Sequence, residues 1–245
     1  IFISIYYGIL LHSVGDTIGF KNGDWEFFGK KNYKTLNKSS AFEHTLEIIY
    51  EYISLGGFSG LNIKGWLCSD DTLSHIALIK SLIYNFKSKD DLCKRFSEEL
   101  CNAYFKDTIK KEFRFWGSTT KDAINDLCKK RLKWNNSPYD NLKGGSGAAM
   151  RSLCLGLVFN KQNKKLKLKK NTDMYKKLVE YSIDLSRITH NSVFGYMGGV
   201  VCALFSSFAF DHHPIDTWYL LMKEVLDIYL DDIMKKLGRD YDKFL

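Results

Sequence analysis

Proline is nearly absent from this chain, with two in 245 residues, so little interrupts long helices. No stretch of useful length alternates apolar and polar residues, which removes the main signal for half-buried strands. The six cysteines (Cys68, Cys93, Cys101, Cys128, Cys154 and Cys202) show no CxxC pair and no regular spacing, which argues against a disulfide framework. Cys154, inside SLCLGLVF, reads as a small hydrophobe. A reducing, cytoplasmic setting is the expectation. The chain opens without methionine, and its first apolar run, IFISIYYGILL, lacks a basic flank and a small-residue cleavage site. It reads as a core helix entered partway rather than a signal peptide. No internal repeat and no Pro/Gly/Ser linker divides the sequence, so one domain over 1–245 is expected.

The composition is that of an ordinary soluble globular chain, 45% hydrophobic and 26% charged. A net charge of +8 would suit an anionic partner. Much of the excess, however, sits in one run, KQNKKLKLKK at 161–170, with no aromatic residue among the lysines. A solvated basic loop accounts for it, and no nucleic-acid partner is expected. From Ser192 to Phe210 there is no charge, a length that could just span a bilayer. The segment also carries the Gly195-xxx-Gly199 spacing that lets helices approach closely. Against a membrane role, Ser206 and Ser207 interrupt it and no basic cluster flanks it. A buried central helix is expected, with no membrane partner.

Helical periodicity supports an all-α fold. Ile76, Ile79, Ile83 and Phe86 share one helical face, as do Tyr175, Leu178, Ser182 and Leu185 in DMYKKLVEYSIDLSRI. Trp218 to Met234 is amphipathic, with Leu221, Leu226, Tyr229 and Ile233 between charges. Loops fall near 20–40, 55–68, 115–121, 134–147 and 160–171. They carry the polar clusters GDTIGFKNGDWEF, CSDDT, FWGST, NLKGGSGAAMR and THNSVFGY, which is how a helical bundle assembles a site.

In CSDDT, one carboxylate before an apolar helix is ordinary capping. Two adjacent charges repel, and a cation such as Mg²⁺, which takes hard oxygen ligands, resolves the conflict. Cap and metal site stand side by side as readings. GGSGAAMR can turn backbone N–H groups inward as a phosphate cradle, or serve as a plain glycine turn. It has neither the Gly-Lys-[Ser/Thr] ending nor the preceding strand of the nucleotide-binding loops. His190, between two helical stretches, is either a structural hydrogen-bonder or a site residue. Glu26, between Trp25 and Phe27, is either a partly desolvated carboxylate or an exposed loop charge.

The order of these segments is specific. GDxxGxxNGxWEF, SDDTxxH, GGxGAAMRxxCxGLxF and RxTHxxxxGYxGxxxxALF together resemble the ADP-ribosylglycohydrolase family, and most closely its ADP-ribosylarginine hydrolase branch. The resemblance implies an all-α orthogonal helical bundle with two Mg²⁺ ions at the base of an ADP-ribose cleft. It implies metal ligation by Ser69, Asp70 and Asp71, with Asp70, Asp71 and the flap residue Glu26 as the catalytic groups. Gly144, Gly145, Ser146, Gly147 and Met150 match the diphosphate loop, and Trp116, Gly117 and Ser118 match a shorter loop near the ribose. His190 and Tyr196 match cleft residues, and Tyr139 is the candidate for stacking on adenine. The implied reaction is Mg²⁺-dependent hydrolysis of the N-glycosidic bond between ribose C1″ and a modified arginine. The metals would hold the ribose hydroxyls and activate water, and an oxocarbenium-like transition state would develop. The implied partner is an ADP-ribosylated protein or ADP-ribose itself, bound by a monomer.

Two departures qualify the match. The family's second metal motif, a late Gly-Gly-Asp-x-Asp-[Ser/Thr], is absent, so the chain is expected to be the N-terminal two-thirds or so of the domain. Thr189–His190 is followed by Asn-Ser-Val, where relatives carry His-His-Pro or a similar run. The alternative to an active hydrolase is a non-catalytic ADP-ribose-binding pseudoenzyme or fragment. By itself, 1–245 is expected to hydrolyse weakly.

Overall fold

The computed structural model describes residues 2–25, 38–129, 132–166 and 172–244. Among them there are eleven α-helices and no strand: α1 (Phe2–Phe20), α2 (Lys38–Ser54), α3 (Gly57–Gly60), α4 (Asp70–Ile83), α5 (Lys89–Lys110), α6 (Ser118–Cys128), α7 (Leu153–Leu166), α8 (Thr172–Arg187), α9 (Val193–Phe210), α10 (Trp218–Leu237) and α11 (Tyr241–Phe244). The all-α expectation holds.

The helix starts follow local chemistry. Ser69, Ser88 and Ser192 are the N-caps of α4, α5 and α9, each accepting a backbone N–H through its hydroxyl. Acidic residues occupy the first turns of α4 and α5, where the helix dipole favours them. At its far end α10 stops at Gly238, which takes φ 64°.

The apolar segment 193–210 becomes α9, long and apolar enough to cross a membrane by length and composition. It lies instead inside the protein, packed against α7, α8 and the 3₁₀ turn Ser146–Arg151. Tyr196, Val200, Ala203, Leu204 and Phe208 are all buried. Two glycines make that packing close. A Cβ on Gly156 of α7 would sit 2.2 Å from the Ala203 carbonyl oxygen, and one on Gly199 would sit 2.1 Å from Ser186 Oγ. Leu92, Phe96 and Leu100 of α5, Leu178 and Ile183 of α8, and Ile233 and Met234 of α10 complete the core.

Four expectations are corrected. The opening helix is no core helix: Ile3, Tyr6, Tyr7, Leu10 and Leu11 of α1 are exposed. On α4, Ile83 is 74% exposed and Ile76 38%. The buried face is instead Ala77, Leu78, Ser81 and Leu82 with Ser74 and His75, so polar residues disguise the true stripe. Cys101 of α5 and Cys128 of α6 are paired as a disulfide, where six free thiols were expected. Of the stripe read on α8, Leu178, Ser182 and Leu185 are buried and Tyr175 is half-buried. The loops near 115–121 and 160–171 are shorter than expected, because α6 begins at Ser118 and α7 continues to Leu166.

Candidate functional site

The pair Asp70–Asp71 opens α4, and the cap itself is Ser69. Its hydroxyl accepts the Asp71 N–H at 3.1 Å and donates to Asp16 Oδ1 at 2.6 Å. That leaves one lone pair on the oxygen. Asp16, from α1, also accepts the Ser69 N–H at 3.0 Å, the Thr72 N–H at 3.2 Å and the Thr72 hydroxyl. The helix start is therefore satisfied without either aspartate. Asp70, 5% exposed, donates its N–H to the Arg114 carbonyl and accepts the Gly117 N–H through Oδ2, both at 3.2 Å. Asp71 is half-buried, and burial first and the Asp16 charge second push its carboxyl above the usual range. His12 and the Ser69 hydroxyl pull weakly the other way.

The FWGST loop is fastened to this pair by its backbone. Lys111, Phe113 and Phe115 all take positive φ, at 55°, 50° and 55°, a costly conformation for side chains of this size. Arg114 holds the strained segment down. Its guanidinium bonds Glu112 at 2.6 Å, Asp107 at 3.1 Å and the Cys68 carbonyl at 2.6 Å. Gly117 and Ser118 are exposed at the start of α6. Trp116, read as a ligand contact, turns the other way: it is 6% exposed, donates its indole N–H to Asp107 at 2.8 Å and packs edge-on against Tyr104.

The glycine segment forms the 3₁₀ turn Ser146–Arg151 leading into α7. Gly144, Gly145 and Ser146 are exposed, Gly147 is buried and Met150 half-buried. His190 lies against this turn, 3% exposed. A Cβ on Gly147 would meet its Cε1 at 2.4 Å and its Nε2 at 2.7 Å, so only glycine permits the approach. Burial, helped by the charges of Arg151 and Lys143, holds the His190 imidazole down to about 3 and therefore neutral. Tyr196, the other expected cleft residue, is fully buried with the Arg187 guanidinium 4.8 Å over its ring. Tyr139 is half-buried and donates its hydroxyl to Asn141 at 2.9 Å. Glu26 lies outside the described residues.

Two residues that motif reading left without a role join the halves. Asp16 was quoted in GDTIGF, and its part emerges only in three dimensions. His12, one turn before it on α1, makes a 2.7 Å hydrogen bond from Nε2 to the Met150 carbonyl. Its ring centroid is 4.3 Å from that of His75, the residue one turn after Asp71. Burial first, and His12 second, hold His75 down to about 3. The i, i+4 spacing of His12 and Asp16 is the signal that could have found the arrangement. A cavity of about 840 Å³ lies elsewhere, between α5, α6 and Trp134, and none of Asp70, Asp71, Gly117 or the glycine turn lines it.

One helix of this all-α domain, α1, thus ties the acidic pair at the start of α4 to the glycine turn. The family model for ADP-ribosylglycohydrolase matches residues 5–243, and the chain belongs to that family. It is 34% identical over 248 residues to the Dictyostelium discoideum protein named ADP-ribosylhydrolase ARH1, covering 96% of this chain and 56% of that protein. It is 32% identical over 234 residues to the Acanthamoeba polyphaga mimivirus protein named "Putative ADP-ribosyl glycohydrolase L444", covering 93% of this chain and 41% of the viral one. The chain thus spans about half the length of these relatives.

Proposed function

We propose that the protein is a Mg²⁺-dependent hydrolase that removes ADP-ribose from modified arginine side chains of proteins by cleaving the N-glycosidic bond at ribose C1″. One observation carries this reading. A single face of α1 holds the glycine turn through His12 and Met150, and holds the acidic pair through Asp16, Ser69 and Thr72. A diphosphate subsite and a carboxylate pair are thereby set at a fixed spacing. Family membership supports ADP-ribose as the ligand class, and the name of the Dictyostelium relative supports hydrolysis.

The donor set suits Mg²⁺: two adjacent carboxylates and a hydroxyl lone pair, all hard oxygens. Asp71 favours the same ion, because burial and Asp16 both oppose its charge and a cation would relieve that opposition. Among the described residues no group of three or more His, Cys, Asp or Glu side chains forms a metal-holding cluster. Waters and substrate oxygens would fill the remaining positions. A bound Mg²⁺ would supply Lewis-acid polarisation of the ribose oxygens.

The protein's own groups do the rest. Asp71 is placed to accept the proton of the attacking water. Asp70, fixed by Gly117 N–H, orients that water or the ribose. Gly145–Gly147 and His190 hold the diphosphate, and Tyr139 stacks on adenine. Glu26 positions the leaving guanidine.

Asp71→Asn tests the metal assignment. At a Mg²⁺ concentration of 100 times Kd, binding to the folded state alone stabilises wild type by about 2.7 kcal/mol, and calorimetry should show no such gain in the variant. The sign without metal is opposite. A carboxyl whose folded pKa is raised contributes stability below its unfolded value and loses it as pH rises through the folded one. Once ionised, Asp71 is a cost to the metal-free fold, so above its titration metal-free Asp71→Asn should melt no lower than wild type. A Mg²⁺ stabilisation that survives in Asp71→Asn would sink the assignment. Release of ADP-ribose from an arginine-linked peptide, compared with a serine-linked one, tests the acceptor.

A further inference from the structure

Arg151 ends the glycine turn and is 1% exposed. Among the described residues no carboxylate pairs with it. Its guanidinium donates to the Gly147 carbonyl at 2.8 Å, the Leu185 carbonyl at 3.1 Å and Thr189 Oγ1 at 2.9 Å, and lies 5.0 Å over the Phe96 ring. A guanidinium can only donate. Thr189 Oγ1 is therefore the acceptor in that contact, and its own hydrogen must go elsewhere. Thr189 is fully buried, and the acceptor within reach is His190 Nδ1 at 2.7 Å. If Nδ1 carried the proton instead, the Thr189 hydroxyl hydrogen would be buried without a partner, which is unfavourable. Nδ1 is thus bare and the proton of the neutral ring sits on Nε2. That nitrogen faces the glycine turn, 2.7 Å from where a Gly147 Cβ would be and 3.7 Å from where a Gly145 Cβ would be.

We infer that Arg151 and Thr189 form a relay that locks His190 as an Nε2–H donor aimed at a phosphoryl oxygen of a ligand held on the 145–147 turn. This rests on the reading of that turn as a diphosphate cradle. Arg151 and Thr189 touch no ligand atom; they are positioning residues. The relay explains why a cation is buried here without a counter-ion. Its charge holds the hydroxyl and, second to burial, keeps the imidazole from taking a second proton, so the ring offers one donor in one direction.

The test needs no activity. In ¹⁵N-histidine-labelled protein, the His190 nitrogen shifts should show Nε2 protonated and Nδ1 bare. In Thr189→Val, which keeps the shape and removes the hydroxyl, the Nδ1–H tautomer should become populated. The same variant should bind ADP-ribose about tenfold more weakly, the loss of one hydrogen bond to a charged group. Thr189→Ser should restore both readouts. An Nδ1–H or doubly protonated ring in wild type at neutral pH would overturn the relay, as would a Thr189→Val protein with unchanged tautomer and affinity. Failure of wild type to bind ADP-ribose, with the tautomer as described, would instead overturn the reading of the glycine turn and with it the ligand end of the inference.

Discussion

Replacing Asp16 by alanine should abolish Mg²⁺ binding and cost about 3 kcal/mol of stability, although Asp16 is assigned no contact with metal or substrate. The carboxylate accepts two backbone N–H groups and two hydroxyls from Ser69 and Thr72, and those two residues are 1% and 3% exposed. Alanine strands all four donors at a point where water enters poorly. For a chain of this length the melting temperature should fall by roughly 10 °C. The start of α4 would then fray, and with it the geometry of Asp70 and Asp71. Asp16→Asn separates hydrogen bonding from charge. With its oxygen in the place of Oδ2 it still accepts three of the four bonds, and its NH₂ can donate to Ser69 Oγ, which reverses that bond, takes up the lone pair offered to the metal and leaves the Ser69 hydrogen to find another acceptor. The loss should be about 1 kcal/mol. Because the Asp16 charge is the second cause of the raised Asp71 pKa, the asparagine variant should also bring that pKa down, and with both carboxylates still in place it should weaken Mg²⁺ binding less than alanine does. Equal damage from both variants would show that charge, and not the bonding of the helix start, is what Asp16 supplies.

The SDDT cluster was legible because capping and charge are local. The spacing of a hydroxyl and two acids before an apolar run leaves few alternatives. What could not be read there is who satisfies whom. The partner of Ser69 lies 53 residues away, and the oddity of two adjacent acids resolves only when Ser69 is seen to be the cap, Asp70 to hold Gly117, and Asp71 to be left with a disfavoured charge. Side-chain direction was equally hidden. Trp116 and Gly117 are neighbours in the motif, yet the Gly117 N–H faces Asp70 while the Trp116 indole reaches Asp107. Tyr196 sits in a motif beside His190 but belongs to α9, whose buried face carries it into the core.

The face of α4 was misread for a related reason. Hydrophobic periodicity selects Ile76 and Ile83, whereas the helix turns Ser74, His75 and Ser81 inward with Ala77 and Leu78. A site-bearing helix that buries polar groups gives a misleading apolar stripe. Arg151 is the extreme case: composition alone would place an arginine at the surface, and nothing local in GGSGAAMR shows that its partners are the Gly147 and Leu185 carbonyls and Thr189.

Gly147→Ala should weaken ADP-ribose binding on the order of 100-fold, an overpacking cost of about 3 kcal/mol, while leaving the Mg²⁺ stabilisation in place. The new methyl would lie 2.4 Å from His190 Cε1 and 3.3 Å from Thr120 Oγ1, so it is pinched from two sides. The imidazole has no room to retreat. Its Nδ1 is bound to Thr189, and behind it Gly195 packs so closely that a Cβ there would be 2.9 Å from His190 Cβ and 2.8 Å from its carbonyl. The turn must therefore move outward, taking Gly145 and Ser146 off the face of the ring, or the ring must leave Thr189 and strand the buried Thr189 hydroxyl hydrogen without its acceptor. Either way the diphosphate loses a pre-formed surface. The acidic pair is insulated from this change, because Asp16 fixes Ser69 and Thr72 independently of residues 145–147. Calorimetric titration of both ligands on both variants then gives a crossed pattern: Asp16→Ala loses Mg²⁺ first, and Gly147→Ala loses the nucleotide with Mg²⁺ binding intact. If Gly147→Ala lost Mg²⁺ and ADP-ribose to the same degree, the two subsites would form one inseparable unit, and the role given to α1 as the element that sets them separately would be wrong.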